Sequence, residues 1–315
     1  MNPYRLVLSA ACGLLASVAS PPSTAAELPA KAGEPYALSW RQTDTSLALL
    51  NGKAVVWQFN YDKGEAKPYF HPLSSLDGNA LTWLHPEDHP WHRALWFSWK
   101  TINALNYWEE DKTTVTAVHV TAAPDFSAMI DMTLSYHPPD KEEVLCEKRL
   151  IQVSAPRKDG SYRIDWRSGF TATSADVLLD RTPIAGEPGG AGAGGYAGLS
   201  LRLAKETRGW TLADSEGRLD LAIHGTKSAW VDASGSLGGK TYGLCVFDHP
   251  SNARYPSAWY INKEMPFFSP AFLFDKPYAL EKGRELSVKY RILIHSGATD
   301  KTDLDKEAKE FAKAT

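Results

Sequence analysis

The dominant hydrophobic period in this chain is two. Leu286, Val288, Tyr290, Ile292 and Ile294 alternate with Ser287, Lys289, Arg291, Leu293 and His295. A strand turns successive side chains to opposite faces, so this pattern predicts a half-buried strand. Tyr162, Ile164 and Trp166 against Arg163, Asp165 and Arg167 repeat it, as do Ile130, Met132, Leu134 and Tyr136 against Asp131, Thr133, Ser135 and His137. Residues 46–50 and 53–60 flank Asn51-Gly52, whose tolerance of positive φ predicts a hairpin with a type I′ turn. Helical periodicity arrives only at the end. There Thr302 precedes Asp303, Asp305 and Glu307, while Leu304, Ala308 and Phe311 share one face, predicting a short C-terminal helix within 300–315. The expected fold class is therefore all-β: residues 27–299 form one large antiparallel β-sandwich, with two smaller sandwiches as the alternative.

Residues 1–26 read as a targeting segment. Arg5 supplies the positive start, residues 6–19 an apolar run, and Thr24-Ala25-Ala26 a small-residue cleavage site. The chain is then expected in the periplasm or secreted, with no membrane insertion after cleavage, because no later run approaches a bilayer span. The formal net charge of −3 provides no basic footprint for nucleic acid. Beyond the leader, the cysteines are Cys146 and Cys245, both in apolar strand-like runs; a disulfide and two buried thiols both fit an export compartment.

Chemistry concentrates in residues 83–108, which hold five of the eleven tryptophans and three of the nine histidines. Within it runs His85-Pro86-Glu87-Asp88-His89-Pro90-Trp91-His92-Arg93. Two prolines forbid a helix there, so the histidines sit on an extended or turning corner at a strand end. Asp88-His89-Pro90 recurs as Asp248-His249-Pro250, followed by Ser251-Asn252. In each copy the proline ends the ladder and holds the histidine extended, with an aspartate able to orient an imidazole. Sandwich loops gather at sheet ends, so the two corners are expected to face one cleft.

Imidazoles titrate near neutrality, so His89 and His249 suit acid and base roles, with Asp88 and Asp248 orienting them and His92 beside them. Arg93 and Asn252 are expected to bind ligand oxygens, and Trp91 and Trp259, each next to a polar, proline-marked corner, to stack on sugar faces. His295 ends a strand on the face of Arg291 and Lys289, and Arg181 stands in a third polar corner before a glycine-rich stretch, 185–198; both are candidate ligand contacts. That stretch lacks a Gly-Lys-Ser/Thr signature and precedes a strand, so it reads as a mobile loop beside the cleft or as a tolerated insertion, not as a phosphate loop. Metal ligation is the rival use of His85, His89, His92 and His249, although these histidines lack the helical spacing that would mark a zinc site. No Gly-x-Ser-x-Gly nucleophile motif occurs.

From Asp88 to Phe97 the chain resembles a bacterial family labelled PmoA, whose pattern reads Asp-His-Pro-x-His-Arg-Gly-Leu-Trp. Gly194-Gly195-Tyr196-Ala197-Gly198-Leu199-Ser200-Leu201-Arg202 and Phe247-Asp248-His249-Pro250-Ser251-Asn252 are similar to its later segments. Ala94 stands where that pattern has glycine, a residue suited to positive φ. The resemblance implies a mutarotase-like large sandwich of the supersandwich kind, a link to carbohydrate catabolism, and site residues at His89, His92, Arg93, Asp248, His249 and Asn252. A methane oxygenase subunit, as the label suggests, belongs in a membrane, and this chain shows no span after its leader.

The expected function is that of an exported enzyme acting on a small-molecule or oligosaccharide ligand by histidine proton transfer: mutarotation, epimerisation or elimination. No cofactor is required, with a bound metal as the alternative. A non-catalytic sugar-binding module and a His-ligated metalloenzyme are the competing readings.

Overall fold

A computed structural model describes residues 36–138 and 140–314. The leader assigned to residues 1–26 lies outside the described residues. Two eight-stranded antiparallel sheets carry the fold. The first runs, edge to edge, Leu38–Gln42, Ser46–Asn51, Ala54–Asn60, Tyr69–Leu73, Leu95–Ser98, Gly198–Arg202, Phe267–Pro270 and Trp259–Asn262. The second runs Thr211–Asp214, Trp230–Leu237, Lys240–Asp248, Glu285–Ser296, Tyr162–Ala172, Leu145–Val153, Ala128–Tyr136 and Thr113–Ala122. Four short strands, Tyr278–Leu280, Val177–Asp180, Thr101–Ile102 and Leu105–Asn106, form a third sheet. This is the all-β sandwich expected from the period of two.

Aromatic side chains from both large sheets meet in one core. Phe70 and Trp166 stand 6.4 Å apart between ring centroids, and Phe97 and Phe170 5.2 Å. The Tyr162 hydroxyl crosses the gap to donate to the Ser74 carbonyl at 2.7 Å, so a buried polar group is satisfied by the opposite sheet. Tyr162–Ala172 alternates buried and half-buried residues along its whole length, as expected. Glu285–Ser296 alternates only at first, because its outer face at Leu293 is covered by the C-terminal helix, Lys301–Phe311. Asp300 caps that helix by accepting from the Asp303 N–H at 2.9 Å.

Alternation also places ions inside. Glu147 and Arg149 fall on the inward face of Leu145–Val153, at 0% and 1% exposure. Arg149 donates to both Glu147 oxygens at 2.7 and 2.9 Å, Ser168 donates at 2.6 Å, and the guanidinium lies 4.7 Å over the Trp166 ring. Such a pair costs desolvation and is tolerated only because hydrogen bonds saturate the carboxylate.

One sequence expectation is corrected here, and one open choice is decided. The hairpin at 46–60 forms, but Asn51 pairs with Ala54, so the loop is Gly52-Lys53. Only Gly52 has positive φ (59°), the type II′ pattern rather than I′. Asn51 instead accepts from the Ala37 N–H and donates to the Leu76 carbonyl. The cysteines are not bridged. Both are free, on strands separated by two others, which at ~4.8 Å per strand puts them far beyond disulfide reach. Peptide mapping after alkylation in denaturant without reductant should find both Cys146 and Cys245 fully modified; a Cys146–Cys245 crosslinked peptide would contradict this arrangement.

Candidate functional site

The proline-rich segment forms a closed corner before the strand Leu95–Ser98. The His85 N–H donates to the His92 carbonyl at 3.0 Å, Leu84 bridges Arg93, and the His89 and His92 amides close inner turns on the Pro86 and His89 carbonyls. His85 and Ala94 both take positive φ, 48° and 65°. Ala94 thus adopts a backbone conformation suited to glycine, at a steric cost glycine would not bear.

A long-range contact fixes this corner. Arg202, fully buried at the end of Gly198–Arg202, donates through Nη2 to both Asp88 oxygens at 2.7 and 2.8 Å, while its guanidinium lies 5.1 Å over Trp83. Burial pushes the Asp88 carboxyl up, but the hydrogen bonds from Arg202, with the nearby His89 ring, outweigh it and leave the group below the ordinary carboxylate range. His89 Nδ1 lies 3.1 Å from Asp88 Oδ2, a charge contact whose N–H is off the line of a well-formed hydrogen bond. Nε2 is then the ring nitrogen left for a ligand.

His89 borders a cavity of about 510 Å³. Asp88, His89, Trp91 and His92 supply one side of it; Tyr196 with Ala191 and Ala193 another; Tyr260, Asn262, Glu264, Met265 and Phe267 a third. The aromatic rings make contact in series. Trp108 meets Tyr196 at 5.2 Å, Tyr196 meets Tyr260 at 5.7 Å, and Tyr260 meets Phe267 at 5.7 Å. Trp91 stands edge-on to His89 at 5.2 Å.

His92 is buried between Trp96, Trp108 and Phe267, with Nδ1 unpartnered. Burial, then the neighbouring His89 and Arg202 charges, push its imidazole down to about 2, so it stays neutral at ordinary pH. It lines the cavity as a neutral, buried ring.

The glycine-rich stretch is a tied wall rather than a free loop. Arg181 donates to Glu187 at 2.6 Å and to the Phe274 and Asp275 carbonyls, and Glu187 accepts from the Ile184 N–H. A Cβ at Gly194 would lie 1.9 Å from the Pro183 carbonyl oxygen, so only glycine permits this closure. Arg181 therefore positions the wall and does not line the cavity.

The second Asp-His-Pro corner does not join the first. Asp248 accepts from Asn252 Nδ2 at 2.6 Å and from the Ser257 N–H at 2.7 Å, and burial pushes its carboxyl up to about 6. Asn252 also brackets the Lys289 peptide, donating to its carbonyl and accepting from its N–H. His249 Nδ1 accepts from the Ser251 N–H, and its ring packs edge-on at 4.8 Å against Phe311 of the C-terminal helix. These three residues secure the end of an interior strand and the helix over it, and His249 does not share the cavity with His89 as expected. Three further candidates are placed elsewhere. Trp259 is fully buried, donating to the Ser228 carbonyl at 2.9 Å. His295 meets Asp232 at 3.0 Å and borders a separate cavity beneath the helix. Arg93 pairs with Glu65 and Asp111 and does not line the cavity. Among the described residues, no group of three His, Cys, Asp or Glu side chains is arranged to hold a metal, and His85 and His249 do not line the cavity with His89.

Sequence reasoning missed Trp108, Tyr196, Tyr260, Glu264 and Phe267 as lining, and Arg202 as the anchor. Trp108 belonged to the tryptophan-dense segment, and Tyr196 and Arg202 to a matched motif. Glu264 sits in a polar turn between apolar strands and carried no signal of its own.

Fold and site together define a β-sandwich protein with an aromatic-walled cavity that opens on an Asp–His pair. The chain belongs to the family of unknown function DUF6807, whose model matches residues 46–309. No curated protein matches it. Among solved structures, it is similar to the galactosidase domain of an alpha-galactosidase–sucrose kinase, at 9% identity and a TM-score of 0.34. That match covers 82% of this chain, which spans 41% of the length of that one.

Two outcomes are expected. His92 binds no proton in the folded state until pH falls near 2, whereas the unfolded imidazole does so below ~6.5, so stability is lost as pH falls through 6.5. Replacing it, His92→Phe, should remove that loss: between pH 6.5 and 4.5 urea unfolding should show the variant gaining about 2 kcal/mol on the parent. Gly194→Ala should cost about 1–3 kcal/mol by overpacking against Pro183, read in the same assay.

Proposed function

We propose that this protein is a carbohydrate-active enzyme in which His89, oriented by Asp88, exchanges a proton with a sugar bound against the aromatic wall. The observation that carries the reading is the Asp88–His89 pair opening on the same 510 Å³ cavity as Trp91, Trp108, Tyr196, Tyr260 and Phe267. Aromatic faces bury the C–H side of a sugar ring, and Asn262, Thr182 and Glu264 offer hydrogen-bonding groups for its hydroxyls. His89 would take a proton from a hydroxyl or an acidic C–H through Nε2, with the ionised Asp88 stabilising the imidazolium that forms, and return it from the same atom. Glu264 is the second side chain on the lining able to move a proton. The reaction class is mutarotation, epimerisation or elimination, and no step is routed through a metal or organic cofactor. The N-terminal sequence supports export, so the ligand would be met outside the cytoplasm.

The test is an NMR screen of neutral sugars and their oxidised forms in D2O, following anomer exchange and deuterium uptake at carbon. The parent protein should accelerate one of these, and His89→Gln should bind the same sugar while losing about 10²–10⁴-fold in rate. Sugar binding without turnover in either protein would make it a binding module instead.

A further inference from the structure

We infer that the cavity selects sugars bearing no acidic group, and that Glu264 enforces this selection. The inference rests on the sugar reading above and concerns the charge of the ligand, which that reading leaves open. Two carboxyl side chains, Asp88 and Glu264, are on the lining, and no lysine or arginine is among the lining residues described.

The cations nearest the walls are already committed. Arg202 is held by Asp88, Lys100 donates to both oxygens of Glu109 at 2.6 Å, Arg181 pairs with Glu187, and Lys263, next to Glu264 in sequence, pairs with Asp220 at 2.6 Å. Asp88 in turn has its charge offset by Arg202. Glu264 is exposed and has no ion-pair partner among the described residues. The uncompensated charge at the opening is therefore negative. The ring faces add to this, since an aromatic face presents its negative quadrupole, attracting C–H bonds and repelling anions. A uronate or phosphorylated sugar would bring its anion into a cavity that supplies no counter-charge.

The experiment compares neutral hexosides with their uronate counterparts in the gluco, galacto and manno series. Titrations would be followed by NMR at pH 8 and low salt, where charge interactions are screened least. For a series that binds, the uronate should bind about tenfold more weakly than its neutral parent, as expected for like charges within a partly screened cavity. Glu264→Gln should reduce that gap, taken as the ratio of the two affinities in the same variant, to about two- to threefold, and added salt should reduce it in the parent protein. A uronate binding as tightly as its neutral parent overturns the inference while leaving the sugar reading standing. A gap unchanged in Glu264→Gln overturns the assignment to that residue. If neither sugar of any series binds, the sugar reading fails, and the inference with it.

Discussion

The site depends on one ion pair. Arg202 and Asp88 are separated by 114 positions in sequence, yet the guanidinium nitrogen meets both carboxylate oxygens. Arg202 is fully buried and has further N–H groups without partners, so its charge is sustained chiefly by Asp88 and by the Trp83 face. Without that carboxylate a buried cation would stand alone. The coupling runs both ways: the arginine keeps Asp88 ionised, and the ionised Asp88 orients His89. The corner's backbone, with His85 and Ala94 both at positive φ, is held in an uncommon conformation that this contact helps to impose.

The repeated Asp-His-Pro tripeptide shows how one local rule serves two ends. The second copy ends the strand Lys240–Asp248, whereas the first lies in turns ahead of Leu95–Ser98; in both, the aspartate finds donors close by in space. At 88–90 the donor is a buried arginine from a neighbouring strand and the histidine reaches a cavity. At 248–250 the donors are Asn252 and a backbone amide, and the histidine is covered by Phe311. The difference lies in what packs on each corner, which is a tertiary fact.

That distinction marks the extent to which function could be read from sequence. Strands such as Tyr162–Ala172 were legible because burial on one face imposes a period of two. The corner at 85–93 was legible because prolines and histidines in such density leave few conformations. Asp88, His89 and Trp91 line a cavity beside that corner. Trp259 and Asn252 do not, because neighbouring polar residues in sequence say nothing about which sheet face a side chain takes. The composition of the glycine-rich stretch suggests a mobile loop or a tolerated insertion, whereas its glycines allow backbone to approach backbone and so tie it down. Glu147 and Arg149 went unremarked as interior residues because their charge argues for the surface, and only the Tyr136, Ser168 and Trp166 partners make their burial tolerable.

The distance in sequence between Asp88 and its arginine has a consequence for how the site comes into being. Residues 83–96 cannot hold their own shape as an isolated peptide, because the group that sets it arrives only when a strand made much later in synthesis slots in beside Leu95–Ser98. Chemical competence in this molecule is therefore a late product of chain assembly, and truncations ending before that strand would leave every histidine of the corner present yet unorganised.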